Sequence, residues 1–134
     1  MSYAIYGLVK YIAYSLWCYI GIRIFTSKRC PILLALMYGA TRWFLGLFFG
    51  FAVAVFAGPI STESAASYYF GIYTPLRIVE WGVIVKLLND KNENRTGIFA
   101  VILWIMGGIL ISFATDAVSP AGIEGRFCIG RCLC

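Results

Sequence analysis

The chain contains no histidine. That removes Ser-His-Asp and Cys-His catalysis, His-ligated haem and most catalytic zinc sites. Acidic residues are scarce too, six Asp and Glu against eleven Lys and Arg in 134 residues, so paired-carboxylate hydrolysis has little to work with. No P-loop, dinucleotide fingerprint or kinase signature occurs, and no cofactor is expected. Charged residues make up 13% of the chain, about half the ~25% usual in soluble domains. A water-soluble fold needs more polar surface than this.

What is present instead is hydrocarbon. The chain is 61% hydrophobic, and the apolar residues fall into four runs, at about 3–25, 32–57, 68–88 and 98–114. Each is close to the ~20 residues needed to cross ~30 Å of lipid at ~1.5 Å per residue. The runs are apolar on all sides, whereas barrel strands would alternate over about ten residues. The fold class is therefore all-α, a polytopic bundle of about four spans. Short connections make consecutive helices antiparallel neighbours, an up-down arrangement. Residues 1–115 form the transmembrane domain and 116–134 a cysteine-containing tail. The first run carries no basic n-region and no small-residue cleavage site, so it is expected to stay as a span. Pro75 removes one N–H inside the third run and frees the carbonyl of Gly71, which predicts a kink.

The net charge of +5 does not point to nucleic acid. Arg23, Lys28 and Arg29 flank one end of the first span, and Lys86, Lys91 and Arg95 flank the third. This is the pattern of topology signals and anionic-lipid contact. It puts both basic loops in the cytoplasm of a prokaryotic inner membrane and both termini outside.

Away from the ends of the runs, four charged residues fall within them: Lys10, Arg42, Arg77 and Glu80. Each costs roughly 2.5–3.5 kcal/mol at mid-membrane on insertion scales and needs compensation. Lys10 lies near an outer end, where its stem can snorkel to the headgroups. Arg77 and Glu80 are three apart and share a helix face. Arg42 sits at comparable depth on the antiparallel second span, ~12–17 Å from the cytoplasmic interface at ~1.5 Å per residue. A cluster of Arg42, Arg77 and Glu80 is therefore expected, with Glu80 as the one intramembrane carboxylate accepting from both arginines. It either ties the second and third helices together or binds an anion or lipid headgroup. Two guanidiniums against one carboxylate leave one charge to be met by an anion, a lipid phosphate, water, or Asp116 if the fourth helix shifts.

Gly46, Gly50 and Ala54 form a small-residue stripe suited to an internal helix contact or a dimer face. Tyr6, Trp81 and Trp104 read as interface belts or packing. Three of five cysteines, Cys128, Cys132 and Cys134, lie in the tail. If the tail is outside, a disulfide among them is expected, with thiol exchange, metal binding and lipidation as the other uses of such a cluster. The expected function is that of a non-enzymatic multi-pass protein, a homo-oligomer or a subunit of a larger membrane assembly. The alternatives are a transporter or flippase for an anion or anionic lipid built on the Arg/Arg/Glu cluster, and a membrane enzyme acting on lipid or thiol.

The charge asymmetry makes a direct prediction. A cysteine placed at Asn92 should resist an impermeant thiol reagent applied outside intact cells and react once the cells are opened. Labelling from outside would reverse the topology.

Overall fold

The computed structural model describes residues 3–25, 31–57, 65–88 and 97–119. They form four helices: α1 (Tyr3–Phe25), α2 (Pro31–Ala57), α3 (Ala65–Leu88) and α4 (Ile98–Ala117). No strand occurs among the described residues. Each helix packs on the next in sequence and α1 closes the ring against α4, which is the up-down bundle expected. One end of the bundle gathers the start of α1 and the end of α4, and is called the termini end below. The opposite end carries Arg23 and Lys86 in the last turns of α1 and α3.

By length and composition α1, α2 and α4 can cross a membrane. The 24 residues of α3 would reach about 36 Å at ~1.5 Å per residue, but Arg77, Glu80 and Lys86 dilute its hydropathy. Arg77 and Glu80 are turned inward and buried. The whole bundle is sorted in this way. Among the described residues, the buried polar ones are Ser15, Arg42, Arg77, Glu80, Ser112, Thr115 and Ser119, while Leu8, Leu16, Phe44, Phe48, Phe51, Ile98, Phe99 and Leu110 stand on the outside. Exposed apolar faces of this extent are rare on monomeric soluble proteins. They are the surface a lipid solvent selects, and they mark the chain as a membrane protein.

The helix ends differ from expectation in informative ways. Pro31 begins α2, the position where a missing N–H is harmless. Pro75 lies inside α3 without ending it. α4 continues three residues beyond the apolar run, to Ala117, and so carries Asp116 into the bundle.

Tight packing rests on glycines other than the stripe on α2. Each of three indoles lies on a glycine of a neighbouring helix: Trp104 on Gly21, Trp17 on Gly107 and Trp81 on Gly108. A Cβ at Gly21 or Gly108 would fall 2.8 or 2.6 Å from the indole atoms. Trp17 stacks on Trp104 with centroids 6.1 Å apart, and its Nε1 donates to the Trp104 carbonyl at 3.1 Å. Trp81 and Phe25 meet Trp104 edge-on at 5.2 and 5.6 Å. These rings, with Ile22, Ile84 and Leu88, fill the half of the core nearer the basic end. Trp81, Trp104 and Tyr6 are all buried, so they serve packing and not an interface belt. Gly46 has a different neighbour: a Cβ there would stand 3.1 Å from Nη1 of Arg42 on its own helix. Gly50 is buried, and the side chain of Ala54 lies outside the described residues.

α1 and α2 come close at Gly39, where an added Cβ would sit 2.8 Å from the Ser15 Cα. Backbone cannot swing aside, so Gly39→Ala must part the two helices. A loss of about 1–3 kcal/mol is expected from such overpacking. Gly82→Ala is the control, because nothing lies within 4 Å of its added methyl; it should be neutral or gain up to ~1 kcal/mol of helix propensity. Unfolding titrations with denaturing detergent in mixed micelles measure both. Equal effects would remove Gly39 as the contact point.

Candidate functional site

The buried charges form two storeys. In the inner storey, Nη2 of Arg42 on α2 lies 2.5 Å from Glu80 Oε2 on α3 and donates to Ser112 Oγ on α4 at 3.3 Å. The guanidinium is also flanked by the rings of Tyr14 at 4.8 Å and Trp81 at 5.1 Å, a favourable cation–π setting. Ser112 is saturated. Its hydroxyl accepts from Arg42 and from Trp81 Nε1 at 3.2 Å, and donates to the Gly108 carbonyl at 2.9 Å; a hydroxyl has one donor and two acceptor positions. The Arg42 and Glu80 side chains are only 2% and 4% exposed. Nε of Arg42 has no hydrogen-bond partner among the described residues.

The outer storey is centred on Asp116 of α4. Its Oδ1 accepts from Lys10 Nζ at 2.6 Å and from Tyr6 Oη at 2.8 Å, both on α1. Its Oδ2 takes the Nη2 of Arg77 from α3. Lys10 also donates to Tyr6 Oη at 3.0 Å. Arg77 lies 4.2 Å from the ring of Phe113. The Lys10 and Asp116 side chains are 18% and 12% exposed, so this storey is closer to solvent than the inner one.

Arg42 and Glu80 thus meet as expected. Three expectations are corrected. Arg77 pairs with Asp116, one of the counter-charges the sequence offered, while the ion partner of Glu80 among the described residues is Arg42; α4 is longer than its apolar run. Glu80 is therefore not the one carboxylate among the spans. Lys10 does not simply snorkel; it joins an ion pair inside the bundle. The sequence carried faint signals of this arrangement. Tyr6, Lys10 and Tyr14 recur every four residues on α1, and Ser112 and Asp116 do so on α4, which puts each set on one helix face. A hydropathy window averages such stripes away. Gly46 one turn from Arg42 was a third signal, since it leaves room for the guanidinium.

Among the described residues no group of His, Cys, Asp and Glu could hold a metal ion. Cys18 is a free thiol, fully buried. Cys128, Cys132 and Cys134 lie outside the described residues, as does Cys30. An apolar cavity of about 560 Å³ lies between α1 and α2, lined by Ala4, Gly7, Leu8, Tyr11, Ala40, Trp43 and Phe44. It does not include the charged storeys. No family model matches the chain, and no curated protein or solved structure matches it.

Removing the Glu80 charge leaves a buried guanidinium without its partner. Glu80→Gln should cost about 3–5 kcal/mol of bundle stability, and a double-mutant cycle with Arg42→Gln should show about 1–3 kcal/mol of coupling. Lys10→Gln should cost less, because Asp116 keeps Arg77 and Tyr6. Coupling indistinguishable from zero would mean that the Arg42–Glu80 contact does not form in the bilayer.

Proposed function

We propose that this protein is a small non-enzymatic membrane subunit that works by association within the bilayer. Its basic loops face the cytoplasm of a prokaryotic inner membrane, and it functions as a homo-oligomer or as part of a larger assembly. One observation carries this reading: the intramembrane charges are turned toward one another, and what faces outward is apolar. Arg42 is closed against Glu80, Ser112, Tyr14 and Trp81. A transport site built on that pair would need an open, wet cavity beside the guanidinium. A dry, hydrogen-bonded pair instead supplies specificity to the bundle. The lipid-facing surface, with Phe44, Phe48, Phe51 and Val55 in one ridge of α2, is then the part of the molecule left to meet partners.

Two differently tagged copies, co-expressed and extracted in mild detergent, test this reading. The tags should co-purify, or each copy should elute in a complex much larger than one chain. A strictly monomeric chain that carries anions across liposomes, with the flux abolished by Arg42→Gln, would replace this reading with transport.

A further inference from the structure

The apolar cavity between α1 and α2 and the phenylalanine ridge of α2 lie side by side on one lipid-facing surface. The cavity has a floor of small residues, Ala4, Gly7 and Ala40, between walls that include Tyr11 and Trp43. Gly7 differs here from Gly21, Gly107 and Gly108, whose space an indole fills. A Cβ at Gly7 would meet nothing closer than the Trp43 ring at 3.8 Å, so the bundle does not use that space itself. Tyr11 keeps its hydroxyl within the chain, donating to the Leu36 carbonyl at 3.4 Å. The ridge is the converse feature. Phe48 is 66% exposed, and Phe44, Phe51 and Val55 continue it along the same helix face. At ~100° per residue, Phe48 lies ~40° to one side of Phe44. Ala40 and Trp43 lie ~40° and ~100° to the other, the side on which α1 packs. The depths also agree. Gly39 and Ser15 mark a common level of α2 and α1. Counted from there toward the termini end at ~1.5 Å per residue, Phe48 stands at ~13.5 Å, between Gly7 at ~12 Å and Ala4 at ~16.5 Å.

We propose that this face is covered by a second copy of the chain, with Phe48 of each copy seated in the α1–α2 cavity of the other. The inference rests on the subunit reading above and selects its homo-oligomeric form. Identical chains carry identical topology signals and enter the membrane in one orientation. A two-fold axis relating them therefore runs along the membrane normal. Such an axis preserves depth, and the ring and the cavity share one. It also sets the Phe48 side of one α2 opposite the cavity side of the other, so ridge meets cavity twice in a single self-complementary contact. The small floor lets the ring approach closely. Dispersion contact of rings on small residues is the association open to helices in lipid, and it already holds this bundle together at Gly21, Gly107 and Gly108. A lipid tail fits an apolar cleft at any depth; the match in depth and side with Phe48 is what a second copy requires.

A benzophenone-bearing phenylalanine analogue placed at Phe48 of the full chain, in native membranes, tests the contact. Illumination should give an adduct of twice the chain's mass, with the link in the peptide that contains Gly7 and Leu8. The same analogue at Leu110 on α4, 65% exposed, should give no such adduct. Self-association is then measured by energy transfer between donor- and acceptor-labelled copies in phosphatidylcholine vesicles. Phe48→Ala trims the knob and Gly7→Leu fills the cavity. Each should lower the association constant at least about tenfold, as loss of a central aromatic anchor does. The two together should cost little more than either alone, because they remove one contact. Should Gly7→Leu fail to fold, the Phe48 adduct and Phe48→Ala decide, since that ring lies outside the core. Association that neither substitution weakens, with adducts from Leu110 in place of Phe48, overturns the inference and leaves the subunit reading standing. An adduct from Phe48 to a different protein overturns it in favour of a larger assembly. No adduct from Phe48, or one to lipid alone, also overturns it, and the co-purification of tagged copies then decides the subunit reading separately.

Discussion

A guanidinium has no acceptable place in hydrocarbon on its own. The bundle is organised around that constraint at Arg42. Lipid tails offer no hydrogen bond, and an unpaired charge in a low dielectric is far more expensive than the same charge in water. All four helices answer it: α3 brings Glu80, α4 brings Ser112, α1 brings the ring of Tyr14, and α2 leaves room at Gly46. The angular order of the helices follows from this convergence. Apolar packing alone would not set it, because the tails of the bilayer are as apolar as the side chains.

The second constraint is volume. Large indoles pack close to the helix axis of a neighbour only where that neighbour has no Cβ, and α1 and α4 meet that condition at Gly21, Gly107 and Gly108. Rings on small residues give dispersion contact without a net hydrophobic drive, which is the mode of association open to helices in lipid. The core therefore has two unlike halves. Toward the basic end it is a dry aromatic layer, and toward the termini end it is a ladder of ion pairs whose outer step is the more exposed.

The number and type of helices were legible in the sequence because hydropathy is a property of whole segments. Four long apolar runs admit one backbone solution in lipid. The Arg42–Glu80 contact was legible as well, since depth can be counted along antiparallel helices and α3 offered a single carboxylate at that level. Asp116 was legible only as one of several candidate counter-charges. The apolar run stops at Ala114, and a carboxylate beyond it reads as tail. Its place in the bundle is decided by tertiary partners, Lys10, Tyr6 and Arg77, on two other helices. The glycine contacts were missed for a related reason. A regular stripe on α2 draws attention, whereas Gly21, Gly39, Gly107 and Gly108 have meaning only beside the residue each one faces.

The order of the charges along the chain has a consequence for biogenesis. Read from the first residue, the paired groups run Lys10, Arg42, Arg77, Glu80, Asp116. The cations of α1 and α2 enter the membrane before either carboxylate has been synthesised. At ~2.5–3.5 kcal/mol for each unpaired cation, the nascent α1–α2 hairpin carries a deficit that α3 only half relieves and α4 closes. Independent insertion of each helix followed by docking does not suit such a sequence. Holding the hairpin at the insertion machinery until the last helix arrives would avoid that cost. Truncation before α4 would then leave a chain that is targeted to the membrane yet exposed to its quality control.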